Sequence, residues 1–288
     1  MKNLLLLLLS IMSIHLYAQD TGEMRALYGV EEIPGSLKSV QELEDADIPK
    51  LFVHTAADSS KGIVFLVIPG GGYSHVAINH EGHAVAKRLN DLGYSAYVLR
   101  YRLPKTTTMK DKRYGPVQDA QYAMAQIRKD HPNKKIAVIG FSAGGHLAAS
   151  VSNLFELPQT EALKQVNLRP DFTVLAYPVI SFEDAITNKG TKESLIGPDF
   201  KPEDVEFFSM ENRVSESSQP TFLMSAKDDK TVPIENANRY AKALNAYNVR
   251  NAMFTYEEGG HGFGLINKTN DRDWFAAMMK WLEEVNAQ

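Results

Sequence analysis

Short apolar runs alternate with segments whose apolar positions recur every three to four residues, and this alternation covers most of the chain from residue 51 onward. The runs at 51–56, 62–68, 95–103, 135–139, 172–180, 221–225 and 252–256 are continuous enough to read as strands covered on both faces. Between them lie helical periodicities: 81–92 with Val85, Ala86 and Leu89 on one face, 117–128 with Ala120, Met124 and Ile127, and then 144–154, 234–247 and 274–285. Strand and helix alternating in this way predict an α/β fold of three layers around a mostly parallel central sheet. No internal repeat is visible. Two stretches carry no single period: a polar lead-in at 20–50, and 181–219, where Gly190, Gly197, Pro198 and Pro202 break any pattern. A segment as long as the second is expected to be an insertion beside a functional site.

Composition changes this picture little. The chain of 288 residues is 44% hydrophobic and 23% charged, which is ordinary for a globular protein with a core of normal size. It contains no cysteine, so disulfides and thiol chemistry are excluded. A net charge of −4 without a dense basic cluster argues against a nucleic-acid partner. The first residues add an address. Lys2 precedes leucine at every position from 4 to 9, and the apolar character continues, diluted by Ser10, Ser13 and His15, to Tyr17 and Ala18. This is the pattern of a secretory signal peptide over 1–18, cleaved after Ala18. A spanning helix needs about 20 apolar residues, and Gln19 and Asp20 arrive too early, so no membrane anchor is expected. The expectation is a single domain over 19–288 acting in the periplasm or outside the cell.

Candidate chemistry sits in three segments. Gly140-Phe141-Ser142-Ala143-Gly144 falls between the strand at 135–139 and a helix, where a sharp turn presents a serine hydroxyl at a helix N-terminus. The bland alternative, a serine that caps a helix, leaves the flanking glycines without a joint explanation. Pro69-Gly70-Gly71-Gly72-Tyr73 follows the strand at 62–68, and consecutive glycines let main-chain N–H groups approach a developing oxyanion. It is not a dinucleotide fingerprint, because His75 stands where the third glycine belongs, and no Lys-Ser/Thr pair follows for a Walker-type loop. The third segment is the pair of loops holding Asp228 and Asp229, after the strand at 221–225, and His261, after the strand at 252–256. A serine needs an imidazole to take its proton, and a carboxylate fixes the imidazole's tautomer and stabilises its cation. Either aspartate could serve.

PGGGY at 69–73, YRLP at 101–104, GFSAGGHLAA at 140–149, ESLIG at 193–197, the D-x-x-V-P loop at 229–233 and GGHGFG at 259–264 together resemble the exported carbohydrate esterases of the α/β-hydrolase superfamily. Members are described as acetyl xylan esterase-like or as related to bacterial feruloyl esterase domains. The resemblance implies a serine carboxylesterase that deacetylates plant oligosaccharides or polysaccharides such as xylan, with no cofactor. It implies Ser142, Asp229 and His261 as triad, Gly71, Gly72 and Ala143 as oxyanion donors, and Tyr73 at the acyl pocket. The D-x-x-V-P spacing favours Asp229 over Asp228, and Pro69 departs from the HGGG pattern of lipase-type relatives. Alternatives are a feruloyl or other carboxylesterase, a serine peptidase of the prolyl-oligopeptidase type, whose extra propeller has no room here, and an inert binding module.

Other residues support less. His80-Glu81-Gly82-His83 places its histidines three apart, where H-E-x-x-H needs four, so no metal is expected. His146 is read as a buried histidine bonded to backbone, Tyr101-Arg102 as part of a structural network, and Trp274, Phe275, Met278 and Trp281 as a core face.

Overall fold

The computed structural model describes residues 22–29, 32–58 and 61–287. The expected signal peptide lies outside the described residues. In chain order the elements are β1 (Glu23–Ala26), β2 (Lys50–His54), β3 (Ile63–Ile68), α1 (Ala84–Asp91), β4 (Ala96–Arg100), α2 (Gly115–Asp130), β5 (Lys135–Phe141), α3 (Ser142–Asn153), β6 (Phe172–Ala176), α4 (Lys189–Ile196), α5 (Pro202–Phe208), β7 (Thr221–Ala226), α6 (Glu235–Ala246), β8 (Asn251–Tyr256) and α7 (Trp274–Asn286). The strands form one sheet in the order β1-β2-β4-β3-β5-β6-β7-β8. β2 is antiparallel to both its neighbours, β1 and β4, and every pairing from β4 to β8 is parallel.

Two apolar cores, one on each face of the sheet, account for the three layers. Val64, Leu66, Ile68 and Val138 meet α2, α3 and α6 through Met124, Leu147 and Leu244. The alternate positions Phe65, Val67, Ala137 and Ile139 meet α1 and α7 through Leu89, Phe275 and Met278. Because β3 is buried at all positions, its sequence shows a continuous apolar run and not an alternation. The face of Trp274, Phe275, Met278 and Trp281 is core, as its spacing predicts.

The differences from the sequence expectation have local causes. β1 hides in the polar lead-in because it is an edge strand exposed at most positions, so it lacks an apolar signature. The strand expected over 172–180 stops at Ala176, because Tyr177 has a φ of +36°. Within 181–219 the chain forms α4, capped by the Asn188 side chain accepting from Thr191 N–H, and α5, which begins with Pro202. Ahead of α1, Ile78–His83 forms a wide π-type turn.

Strand order makes one place in the sheet special. From β3 the chain passes through α1 to β4 on one side, and from β4 through α2 it crosses to β5 on the other. The segments leaving β3 and β5 therefore separate at their C-terminal ends, and such a switch point is where ligands bind in open parallel sheets. Just past the end of β4, Arg102 and Asp119 form the network expected at Tyr101-Arg102. The guanidinium and the Arg102 N–H both donate to the Asp119 carboxylate, which also accepts the Tyr28 hydroxyl at 2.7 Å. Asp119 is fully buried and Arg102 3% exposed. Removing one partner strands the other charge, so Asp119→Ala is expected to lower unfolding free energy by about 3–5 kcal/mol in urea titration. A midpoint equal to that of the parent would refute this.

Candidate active site

The switch point brings β3 and β5 side by side, with Ile68 in register with Gly140. The glycine loop after β3 therefore lies against the turn from β5 into α3. Ser142 is the first residue of α3 and has a φ of +52°, left-handed backbone that costs a non-glycine residue about 1–3 kcal/mol. The neighbouring glycines make this turn possible. A Cβ on Gly140 would lie 2.3 Å from the carbonyl oxygen of Gly144, and one on Gly144 would lie 2.3 Å from those of Ile68 and Pro69. Both distances are inside contact range, so the start of α3 can press onto the ends of β3 and β5 only without these side chains.

The loops after β7 and β8 arrive at the same edge. The Ser142 hydroxyl is 2.8 Å from His261 Nε2, and His261 Nδ1 is 2.6 Å from Asp229 Oδ2. A carboxylate at Nδ1 places the ring proton there and leaves Nε2 free to accept from the hydroxyl. Asp229 is itself fixed: its Oδ1 accepts the N–H groups of Thr231 and Val232, both at 2.9 Å. The two candidate acids are thereby told apart. Asp228 is exposed and accepts the Gly260 N–H at 2.8 Å, holding the histidine loop in place. Backbone donors from Gly260 and Gly259 hold its carboxyl below the usual range.

Gly71, Gly72, Ser142 and His261 border one cleft of about 280 Å³. Gly71 and Gly72 both have positive φ, and the Gly71 carbonyl accepts the N–H groups of Ser74 and His75, closing a tight turn. Ala143 is buried in the first turn of α3, where N–H groups lack intrahelical acceptors and the helix dipole favours negative charge. Asn188, Thr191 and Thr231 also line the cleft. The insertion thus contributes to it, with Asn188 Nδ2 donating to the neighbouring Thr231 carbonyl at 2.9 Å. A larger groove of about 700 Å³ runs past Tyr28, Tyr122 and Leu163, but none of the candidate residues lines it.

Tyr73 is a correction. It is expected at the acyl pocket, yet it is 3% exposed, absent from the cleft lining, and turned inward with its hydroxyl donating to His146 Nδ1 at 2.9 Å. The ring packs against Tyr101, whose own hydroxyl donates to the Pro69 carbonyl. Of the two nearby histidines, His83 is buried and bonded to His54 at 3.0 Å, whereas His80 sits at the cleft. Among the described residues no group of three or more His, Cys, Asp or Glu side chains stands together as a metal cage. Sequence reasoning gave no site role to Glu81, met only in the rejected metal motif, or to Tyr177, Asn188, Thr191 and Thr231, all at or beside the site. None has a distinguishing spacing; for Glu81, a charge inside an otherwise helical start was the one available signal.

A mostly parallel sheet with a strained serine turn after β5, an aspartate after β7 and a histidine after β8 defines the α/β-hydrolase fold. Within it the chain belongs to the BD-FAE family, whose description matches residues 51–244; the dienelactone hydrolase family also matches residues 205–286. It is 31% identical over 234 residues to endo-1,4-beta-xylanase B of Butyrivibrio fibrisolvens, and 31% identical over 218 residues to the acetylxylan esterase of Xylanibacter ruminicola. These alignments take in 79% and 72% of this chain but 36% and 42% of the relatives, so the chain spans about two fifths of their length. Among solved structures, the acetyl ester-xyloside bifunctional hydrolase of Caldicellulosiruptor lactoaceticus is 34% identical, with a TM-score of 0.78 over 92% of this chain and 97% of that one.

His146 stands behind the site. Its Nε2–H donates to the Phe208 carbonyl at 2.8 Å and its ring stacks on Phe182, tying α3 to the insertion. Burial pushes its pKa down from 6.5 to about 4. Between those values the unfolded chain binds a proton that the folded chain does not. The His146 contribution is therefore complete above pH 6.5 and is lost as pH falls toward 4, amounting to about 3 kcal/mol. Urea unfolding at pH 7 and pH 4.5 is expected to show a smaller acid loss for His146→Gln than for the parent; equal losses would contradict the assignment.

Proposed function

We propose that the chain is a serine carboxylesterase that removes acetyl groups from acetylated plant oligosaccharides or polysaccharides such as xylan. The observation that carries the proposal is the continuous path Ser142–His261–Asp229, at 2.8 and 2.6 Å, opening into a cleft bordered by glycine backbone. In this reading His261 takes the hydroxyl proton as Ser142 Oγ bonds to the ester carbonyl carbon. The oxyanion is held by the N–H groups of Gly71, Gly72 and Ala143. The C–O bond then breaks, the imidazolium gives its proton to the departing sugar oxygen so that it leaves as the alcohol, and water repeats the cycle on the acyl-serine to release acetate. A single oxyanion donor contributes about 2.7–4 kcal/mol to such a barrier, so the glycine loop is as necessary as the side chains.

The lining of the cleft supports a short acyl group. It is small, and Gly71, Gly72, Ala77, Ser74, Thr191 and Gly262 contribute to it with no phenylalanine, tyrosine or tryptophan. A feruloyl group needs a long aromatic slot. Asn188, Thr191 and Thr231 give the cleft a polar lining that suits a sugar substrate. The names of the relatives above, acetylxylan esterase and acetyl ester-xyloside hydrolase among them, agree with this reading. Export after cleavage at Ala18 belongs to the same proposal and rests on the leader pattern. Among the described residues no helix is long and apolar enough to cross a membrane. N-terminal sequencing of the protein from an exported fraction is expected to begin at Gln19, and an intact Met1 there would count against it.

Ser142→Ala is expected to fold and to lose more than about 10⁴-fold in kcat on a chromogenic acetate ester. Asp229→Asn should lose about as much, because the wrong tautomer is then favoured, while Asp228→Asn stays within about tenfold. From xylan carrying both esters, the parent should release acetate in large excess over ferulate. Turnover by Ser142→Ala, or preferential release of ferulate, would overturn the mechanism or the substrate respectively.

A further inference from the structure

Glu81 is 3% exposed at the cleft and takes no part in the chemistry above. Its two oxygens are held by different parts of the chain. Oε2 accepts the Gly70 N–H at 2.8 Å, at the start of the glycine loop. Oε1 accepts the Tyr177 hydroxyl at 2.8 Å, just beyond β6. That hydroxyl in turn accepts the N–H of Gly264 at 2.9 Å, three residues past His261. The carbonyl of Gly264 receives the Trp274 Nε1–H at 3.0 Å, and the Tyr177 ring meets the His261 ring edge-on at 4.9 Å. One buried carboxylate thus links the loops after β3 and β8 through a residue at the end of β6.

The local structure is shaped around this link. A Cβ on Gly70 would fall 2.8 Å from Glu81 Oε2 and 2.9 Å from the Ser142 Cβ, so only glycine lets loop, carboxylate and serine stack. Tyr177 carries a left-handed φ of +36°, a second strained position beside Ser142. Burial, reinforced by the Glu81 charge, pushes the Tyr177 hydroxyl well above its ordinary pKa and keeps it a donor. His80 Nε2, on the solvent side, lies 3.7 Å from Oε1.

We propose that Glu81 and Tyr177 are positioning residues: together they set the distance between the oxyanion-binding glycines and the His261 imidazole. The proposal rests on the esterase reading above. Its physical basis is that catalytic groups act within tenths of an ångström, and a displacement of about 1 Å costs about 10²-fold in rate. In Glu81→Gln the amide can still accept from Gly70, but it then turns an N–H₂ toward a hydroxyl that donates. In Tyr177→Phe both Oε1 and the Gly264 N–H lose their partner.

Kinetics on a chromogenic acetate ester, with the folded fraction of each variant measured in parallel, tests this. Glu81→Gln and Tyr177→Phe are each expected to lose about 10–100-fold in kcat with KM changed less than about twofold. The double variant should fall no further than the weaker single one, because both substitutions cut one chain of contacts. A purely structural role would lower the unfolding midpoint and leave kcat per folded molecule unchanged. That result, multiplicative losses in the double variant, or a rise in KM at constant kcat would each overturn the proposal. If Glu81→Gln does not fold, Tyr177→Phe decides alone. Ser142→Ala, assayed alongside, separates the two readings. If it is inactive while Tyr177→Phe matches the parent, the positioning proposal alone fails; if it remains active, the esterase reading fails and the proposal with it.

Discussion

The parallel pairing of β3 with β5 is the constraint on which the site depends. Their register, Ile68 opposite Gly140, brings a glycine loop and a strained serine within contact distance at the point where the chain diverges to the two sides of the sheet. The separation is too small for side chains at Gly70, Gly140 and Gly144. The apolar packing on both faces of β3 and β5 offsets the strain at Ser142, because the turn can relax only if the helix that follows it leaves the sheet.

Histidine and aspartate reach that point by a different route. Their loops leave neighbouring parallel strands, β7 and β8, at the same edge, and in each a carboxylate that accepts main-chain N–H groups adds to the packing of Val232 and Phe263. Asp229 is clamped by the N–H groups of Thr231 and Val232, and Gly260 by Asp228. Adjacent aspartates therefore perform separate tasks: the buried one meets the imidazole, and the exposed one shapes the loop that carries it. Charge inside the site is consistently accompanied by hydrogen bonds, as the low dielectric of a buried site requires. Glu81 follows the same rule.

The polar cleft and the buried histidine behind it show how the insertion joins the site. α4 presents Asn188 and Thr191 to the cleft, while Phe208 at the end of α5 accepts from His146 on α3. The segment least readable from periodicity thus supplies part of the cleft lining. It also explains the position of Tyr73, whose hydroxyl is needed by His146 Nδ1 and is not available to a substrate.

Alternating apolar runs were enough to indicate a three-layer α/β fold, because strands buried on both faces and helices buried on one leave different periods. The turn around Ser142 was legible for a similar reason: close backbone approach demands glycine, and glycine leaves a mark in the sequence. β1 was not legible, since an exposed edge strand has no apolar signature, and neither were α4 and α5, which are short and interrupted by glycine and proline. Only the tertiary structure decided that Asp228 holds the histidine loop, that Tyr73 turns away from the cleft, and that Glu81 bridges two loops. Those outcomes depend on distances between residues far apart along the chain, and a hydrogen bond formed across such a gap imposes no period on the sequence at either end.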